Sequence, residues 1–172
     1  IDNGRISRLL NDAAMNIKQG QPASSFASLE KVLEQDRSNA AAYYLRGCAH
    51  GRLGNIIMAR DDFKSALSND PSHLAARTNL ANVLLQQGLI EETVTVLDSH
   101  PETLPADLAY KAAELSLELK NFSSALSKCD DGNLHYPQDG RFHVLRGRIY
   151  IEQKKYDAAN KSLSVTVDSF PR

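Results

Sequence analysis

The chain has no tryptophan, two cysteines, two methionines and almost no net charge. Each shortage excludes something. With 20 Lys plus Arg against 21 Asp plus Glu, the formal charge is −1, so no basic field advertises nucleic acid or an anionic membrane. No apolar run reaches the roughly 18 residues that a membrane-crossing helix needs. Cys48 and Cys129 stand far apart and form no CxxC, so they read as packing residues rather than a disulfide or zinc framework. A reducing compartment, cytoplasmic, fits this usage slightly better than a periplasmic one. The five histidines, His50, His73, His100, His135 and His143, include no i, i+4 pair and no HExxH. The glycines around Gly47–Gly54 match neither a phosphate loop nor GxGxxG, and no GxSxG nucleophile elbow occurs. The expectation is a protein without catalytic residues, cofactor or metal. The acidic pairs Asp61-Asp62, Glu91-Glu92 and Asp130-Asp131 read as solvated surface. The chain starts at Ile1 without a charged-then-apolar leader, which reads as a mature form or, by preference, an excised piece of something longer.

What is present is repetition. Residues 39–71, NAAAYYLRGCAHGRLGNIIMARDDFKSALSNDP, read as two amphipathic helices joined by a tight turn. Tyr43 sits one turn before Gly47, whose missing Cβ lets a partner helix approach. Gly54 supplies the left-handed residue that ends the first helix. Ile56, Ala59, Phe63 and Ala66 give the second helix its apolar face, and Asp70-Pro71 closes it. Gly54 recurs as Gly88, 34 residues on, and Val144-Leu145-Arg146-Gly147 echoes Tyr44-Leu45-Arg46-Gly47. Earlier, Ile6, Leu9, Leu10, Ala13, Ala14 and Ile17 carry the helical period. Gly20 stops that helix and Pro22 starts the next, while Arg37 stands where later hairpins carry proline. The run Thr93-Val94-Thr95-Val96 is β-branched, which lowers helix propensity. A short second helix and an irregular connection over residues 98–105 are expected there. Gly132 replaces the usual alanine of the fourth copy. The approximate units are 6–38, 40–72, 74–105, 106–139 and 140–172, forming one array.

A helix–turn–helix of this period with large, small and proline positions resembles the tetratricopeptide repeat. Tyr43, Gly47, His50, Gly54, Ile56, Ala59, Phe63, Ala66 and Pro71 sit at its signature positions, and about five copies cover nearly the whole chain. His50 for tyrosine, Ser25 and Thr93 for alanine, and Arg37 for proline depart from the pattern. The resemblance implies an all-α, right-handed α-solenoid of antiparallel helix hairpins. The first helix of each hairpin would line a concave groove, with the second behind it. Helical spacing then places Leu10, Ala14, Ile17 and Lys18 in the groove, followed by Tyr44, Cys48 and Arg52. Thr78, Asn79, Asn82 and Gln86 come next, then Tyr110, Lys111, Glu114 and Glu118, and last Arg141, Val144, Arg148 and Glu152. The candidate ligand residues are Tyr44, Arg52, Asn79, Asn82, Tyr110, Glu114 and Arg148. Tyrosines offer large surfaces with few rotamers to freeze, and the asparagine amides suit an extended peptide backbone. The bland account is that these are solvated residues, with Glu114 or Glu118 pairing with Arg148. Leu10, Ala14, Tyr44, Cys48, Asp107 and Lys111 stand where a chaperone-tail clamp would place lysine, asparagine and arginine, so that clamp is not expected.

The function expected is a non-enzymatic scaffold or adaptor that binds a peptide or partner segment, with a protein partner, no nucleic acid and no direct membrane insertion. The alternative is an accessory array of a larger machine, a bacterial exporter or glycosyltransferase, where it positions another domain or guides polysaccharide. The fifth copy has no polar capping helix after it, so self-association through it is a third expectation.

Overall fold

In a computed structural model the described residues are 2–99 and 104–169, with side chains to 166. His100, Pro101 and Pro171 lie outside them. Among the described residues the chain is all-α, with ten α-helices, one 3-10 turn and no strand. It falls into two compact units, Ile1–Leu89 and Ile90–Arg172.

The N-terminal unit holds α1 (Asn3–Lys18), a 3-10 turn (Pro22–Ser25), α2 (Phe26–Gln35), α3 (Ala40–Arg52), α4 (Ile56–Asn69) and α5 (Leu74–Gln86). Each helix packs on the next, and α1 also packs on α3. Starts are capped by side chains that satisfy otherwise unpaired amides. Asp2 accepts from the Arg5 amide at 3.0 Å and Asn39 from Ala42 at 2.9 Å, while His73 Nδ1 accepts from Ala76 at 3.3 Å. Pro22 opens a 3-10 turn rather than an α-helix. Buried Ser25 donates its hydroxyl to the Pro22 carbonyl at 2.6 Å, and this tightens the first turn.

Arg37 in place of proline leaves the connection intact. Asp36 and Asp70 close α2 and α4 with nearly the same backbone, φ −139° ψ 91° and φ −138° ψ 91°. Each carboxylate accepts from the amide and hydroxyl of the serine two residues on, Ser38 or Ser72. The Asp side chain builds the turn, so proline is dispensable. Ile6, Ala13, Leu29, Val32 and Ala42 form the core, flanked by Leu9, Leu10, Leu33 and Leu45.

The C-terminal unit holds α6 (Ile90–Asp98), α7 (Ala106–Glu118), α8 (Phe122–His135), α9 (Arg141–Glu152) and α10 (Tyr156–Ser169), again each on the next. The β-branched run is helical and α6 has 9 residues, the shortest α-helix described, as the sequence leads one to expect. Ala113, Leu117, Ala125, Cys129, Leu145 and Ile149 are its core. Gly132 has a specific cause: a Cβ there would lie 2.2 Å from the ring of the fully buried Phe142. The missing side chain is the space that this ring fills.

The period is visible in the backbone. Gly20, Gly54 and Gly88 adopt φ of 78°, 78° and 71°, and the residues with positive φ that follow are Lys120 and Lys154, at 58° and 59°. These left-handed residues end the first helix of each hairpin. Their spacing of 34, 34, 32 and 34 residues locates the shortened copy.

Candidate functional site

In the N-terminal unit α1, α3 and α5 form the walls of an open groove of about 530 Å3. Ala14, Ile17 and Lys18 come from α1. Tyr44, Cys48 and Arg52 come from successive turns of α3, and Asn79, Asn82 and Gln86 from α5. Phe63 and Ile56 of α4 close the back. The structure therefore brings four of the candidate residues, Tyr44, Arg52, Asn79 and Asn82, into one cavity. Two other sequence-selected positions do not line it: Leu10 packs against the core, and the Thr78 hydroxyl donates to the Leu74 carbonyl.

Tyr44 is held by aromatic neighbours. Its ring lies 6.1 Å from Phe63 and 4.7 Å from His73, centroid to centroid. Burial, then the neighbouring Cys48, raise its phenol pKa. The Asn79 amide donates to Cys48 Sγ at 3.6 Å. Burial raises the Cys48 thiol pKa, against the pull of Tyr44, Asn79 and Arg52. Arg52, the last residue of α3, donates from Nη1 to the Ile17 carbonyl at 2.7 Å and so joins two hairpins at one end of the groove.

In the C-terminal unit Tyr110, Glu114 and Arg148 lie on α7 and α9. The Arg141 guanidinium sits 5.0 Å from the Tyr110 ring centroid, and Phe142 meets that ring edge-on at 5.8 Å. Arg141 is held in turn by Asp139 at 2.6 Å and Asp107 at 2.8 Å. Burial, then Glu114, raise the Tyr110 pKa, and Arg148 and Arg141 oppose this. Glu114 pairs with Lys111 at 3.1 Å rather than with Arg148. The reason is reach: Lys111 is one helical turn away on the same helix. Arg148 is exposed and makes no ion pair among the described residues.

One expectation is corrected outright. Asp62, read as solvated, is 5% exposed and faces Arg46 of α3. His50, expected as a packed histidine, lies against Phe26 with ring centroids 4.7 Å apart and planes tilted by 40°, and its Nε2 is 3.8 Å from the same carboxylate. Arg77 is also fully buried and donates to the Pro71 carbonyl at 2.9 Å, a role that no local pattern announced. Among the described residues no group of three or more His, Cys, Asp or Glu could hold a metal, and no helix is long and apolar enough to cross a membrane.

These features define a helix-hairpin repeat protein with an open groove. Residues 52–115 match the family model described as tetratricopeptide repeat. Human FK506-binding protein-like is 38% identical over 76 residues, 44% of this chain and 22% of that protein. The chain thus spans about a fifth of the length of the first curated relatives that it matches. Among solved structures, MamA from Desulfovibrio magneticus superposes with a TM-score of 0.68 at 16% identity, covering 98% of this chain and 96% of that one. YrrB, titled a TPR protein with an unusual peptide-binding site, superposes with a TM-score of 0.70 at 19% identity, covering 95% and 85%. The matched segment is thus a tetratricopeptide repeat, and the described residues on either side of it form helix hairpins of the same period.

Proposed function

We propose that this chain is a non-enzymatic interaction module that holds an extended peptide, or a segment of a partner protein, in the groove of its N-terminal unit. The observation that carries the reading is the convergence of Tyr44, Asn79 and Asn82 on one open cavity. A half-buried tyrosine packed against Phe63 and His73 is already restricted before a ligand arrives, so little entropy is lost on contact. The amides of α5, Asn79 half-buried and Asn82 exposed, can donate to and accept from a peptide backbone without demanding a sequence. The structural likeness to a protein titled as having a peptide-binding site supports the same reading. Tyr110, Glu114 and Arg148 would form a separate contact surface on the C-terminal unit.

Selection from a random-peptide display library, followed by fluorescence polarisation on the recovered peptides, tests it. Tyr44→Ala and Asn82→Ala should each weaken binding by about tenfold, the scale of a contact hot spot, with the helical circular dichroism retained. Binding unchanged in both variants overturns the groove reading. A second reading, an accessory array that positions another domain, is favoured by one observation: the curated relatives are several times longer than the matched segment.

A further inference from the structure

The charges around the groove are one-sided. Its lining includes two cations, Lys18 and Arg52, and no carboxylate. Lys18 is exposed at the end of α1 and has no ion-pair partner among the described residues. Arg52 spends one of its donors on the Ile17 carbonyl, which fixes the guanidinium beside the end of α1 and leaves its other N–H groups without a protein acceptor among the described residues. Both cations sit at helix C-termini, whose dipoles offset roughly half a charge each. α5 also ends at the groove, at Gln86, so two full charges against about one and a half leave that end net positive. The Cys48 thiol, deeper in the groove, also feels Arg52.

We infer that the groove selects an extended peptide segment bearing an acidic side chain, seated between Lys18 and Arg52, with a large apolar side chain against Tyr44 and Phe63. This rests on the groove reading above and specifies its ligand. The geometry sets the spacing. Tyr44 and Arg52 are eight residues apart on α3, a rise of about 12 Å. An extended chain covers that in three or four residues. On the facing wall Asn82 and Gln86 are one turn apart, about 6 Å, close to the two-residue repeat of an extended backbone. The amides therefore hold the backbone, and the charged end and aromatic end set register and direction.

The library selection decides it when run with the unmodified chain, Lys18→Gln, Arg52→Gln and Arg52→Lys. Recovered peptides should carry Asp or Glu three or four positions from an aromatic or large aliphatic residue. Replacing that acid by its amide, or Lys18 by Gln, should weaken binding about tenfold and flatten its salt dependence. Arg52→Lys should keep the acidic preference, which separates lost charge from loss of the Ile17 bond. Recovered peptides with no acidic preference, or with binding indifferent to Lys18→Gln and to the acid-to-amide change, overturn the inference. If such peptides still require Tyr44, the groove reading stands alone. Recovery of no peptide overturns both.

Discussion

Arg46 grips both carboxylate oxygens of Asp62, Nε at 3.0 Å and Nη2 at 2.7 Å, and so ties α3 to α4 within one hairpin. The geometry is the planar fork that arginine makes with a carboxylate. The same guanidinium lies 5.4 Å from the Tyr43 ring centroid. In the fifth repeat Arg146 occupies the matching place and donates to Ser162 at 3.1 Å, while Asp130 of the preceding hairpin takes its other arm at 2.9 Å. One arginine position thus stitches within a hairpin in one copy and also between hairpins in another.

Removing Asp62 strands a cation that is only partly solvated. The Arg46 side chain is 29% exposed, so the loss falls below that of a fully buried pair. Asp62→Ala should cost about 2 kcal/mol in urea denaturation, and the Arg46→Met, Asp62→Leu double variant should recover part of it. Equal losses in the single and double variants would show that the unpaired Arg46 carries no penalty.

Gly132→Ala would be mildly stabilising in an ordinary helix interior, by about 1 kcal/mol. Here the new Cβ meets Phe142 at 2.2 Å, and overpacking of this kind costs about 1–3 kcal/mol. A net loss of stability is expected, relieved when Phe142→Leu is added. Thermal unfolding of the two variants beside the unmodified chain checks the sign.

Lys154 adopts φ 59°, a conformation that costs a residue with a Cβ roughly 1 kcal/mol. Lys154→Gly should raise stability by up to about 1 kcal/mol, less the greater freedom glycine gains when unfolded. Lys120→Gly should gain less, because Lys120 also pairs with Glu152 at 2.6 Å.

The two cysteines should separate by reactivity. Burial, then Asp130, push the Cys129 thiol up to about 12, which leaves about one thiolate in ten thousand at pH 8. Cys48 is raised too but opens onto the groove. A thiol reagent should label Cys48 in the native protein, more slowly than free cysteine, and Cys129 only on unfolding. Mass spectrometry over time reads both.

His143 has a pKa lowered from 6.5, first by burial and then by Arg146, with Asp130 opposing. A lowered folded pKa means that the neutral ring is favoured in the native state. Its stabilisation is complete above about pH 6.5 and is lost as pH falls through the folded value. His143→Gln should flatten that part of the stability profile, by at most about 1.4 kcal/mol per pH unit. An unchanged profile would assign the acid sensitivity elsewhere.

Much of this architecture was legible in the residues because it is local. Helical period, Gly54 as a left-handed stop, and Asp70-Pro71 as a terminator act over four residues or fewer, and their recurrence exposed the repeat. Even the weakened α6 and the 32-residue step followed from β-branching and spacing. The same arithmetic put Tyr44, Cys48, Arg52, Asn79 and Asn82 on facing walls, since a helix repeats its faces at fixed intervals.

Partners chosen across the packed hairpins were beyond that reach. The reading of Asp62 as surface failed because burial depends on Arg46, 16 residues earlier on another helix. Arg52 caps Ile17 across 35 residues. Phe142 of α9 fills the space that Gly132 of α8 leaves. A sequence by itself determines which side each helix turns inward, because that is a periodic property of one segment. Which charge meets which, and which void a ring occupies, is decided only when separate helices are brought within a few ångströms. At that range Coulomb attraction and steric exclusion select among partners that helical period treats as equal.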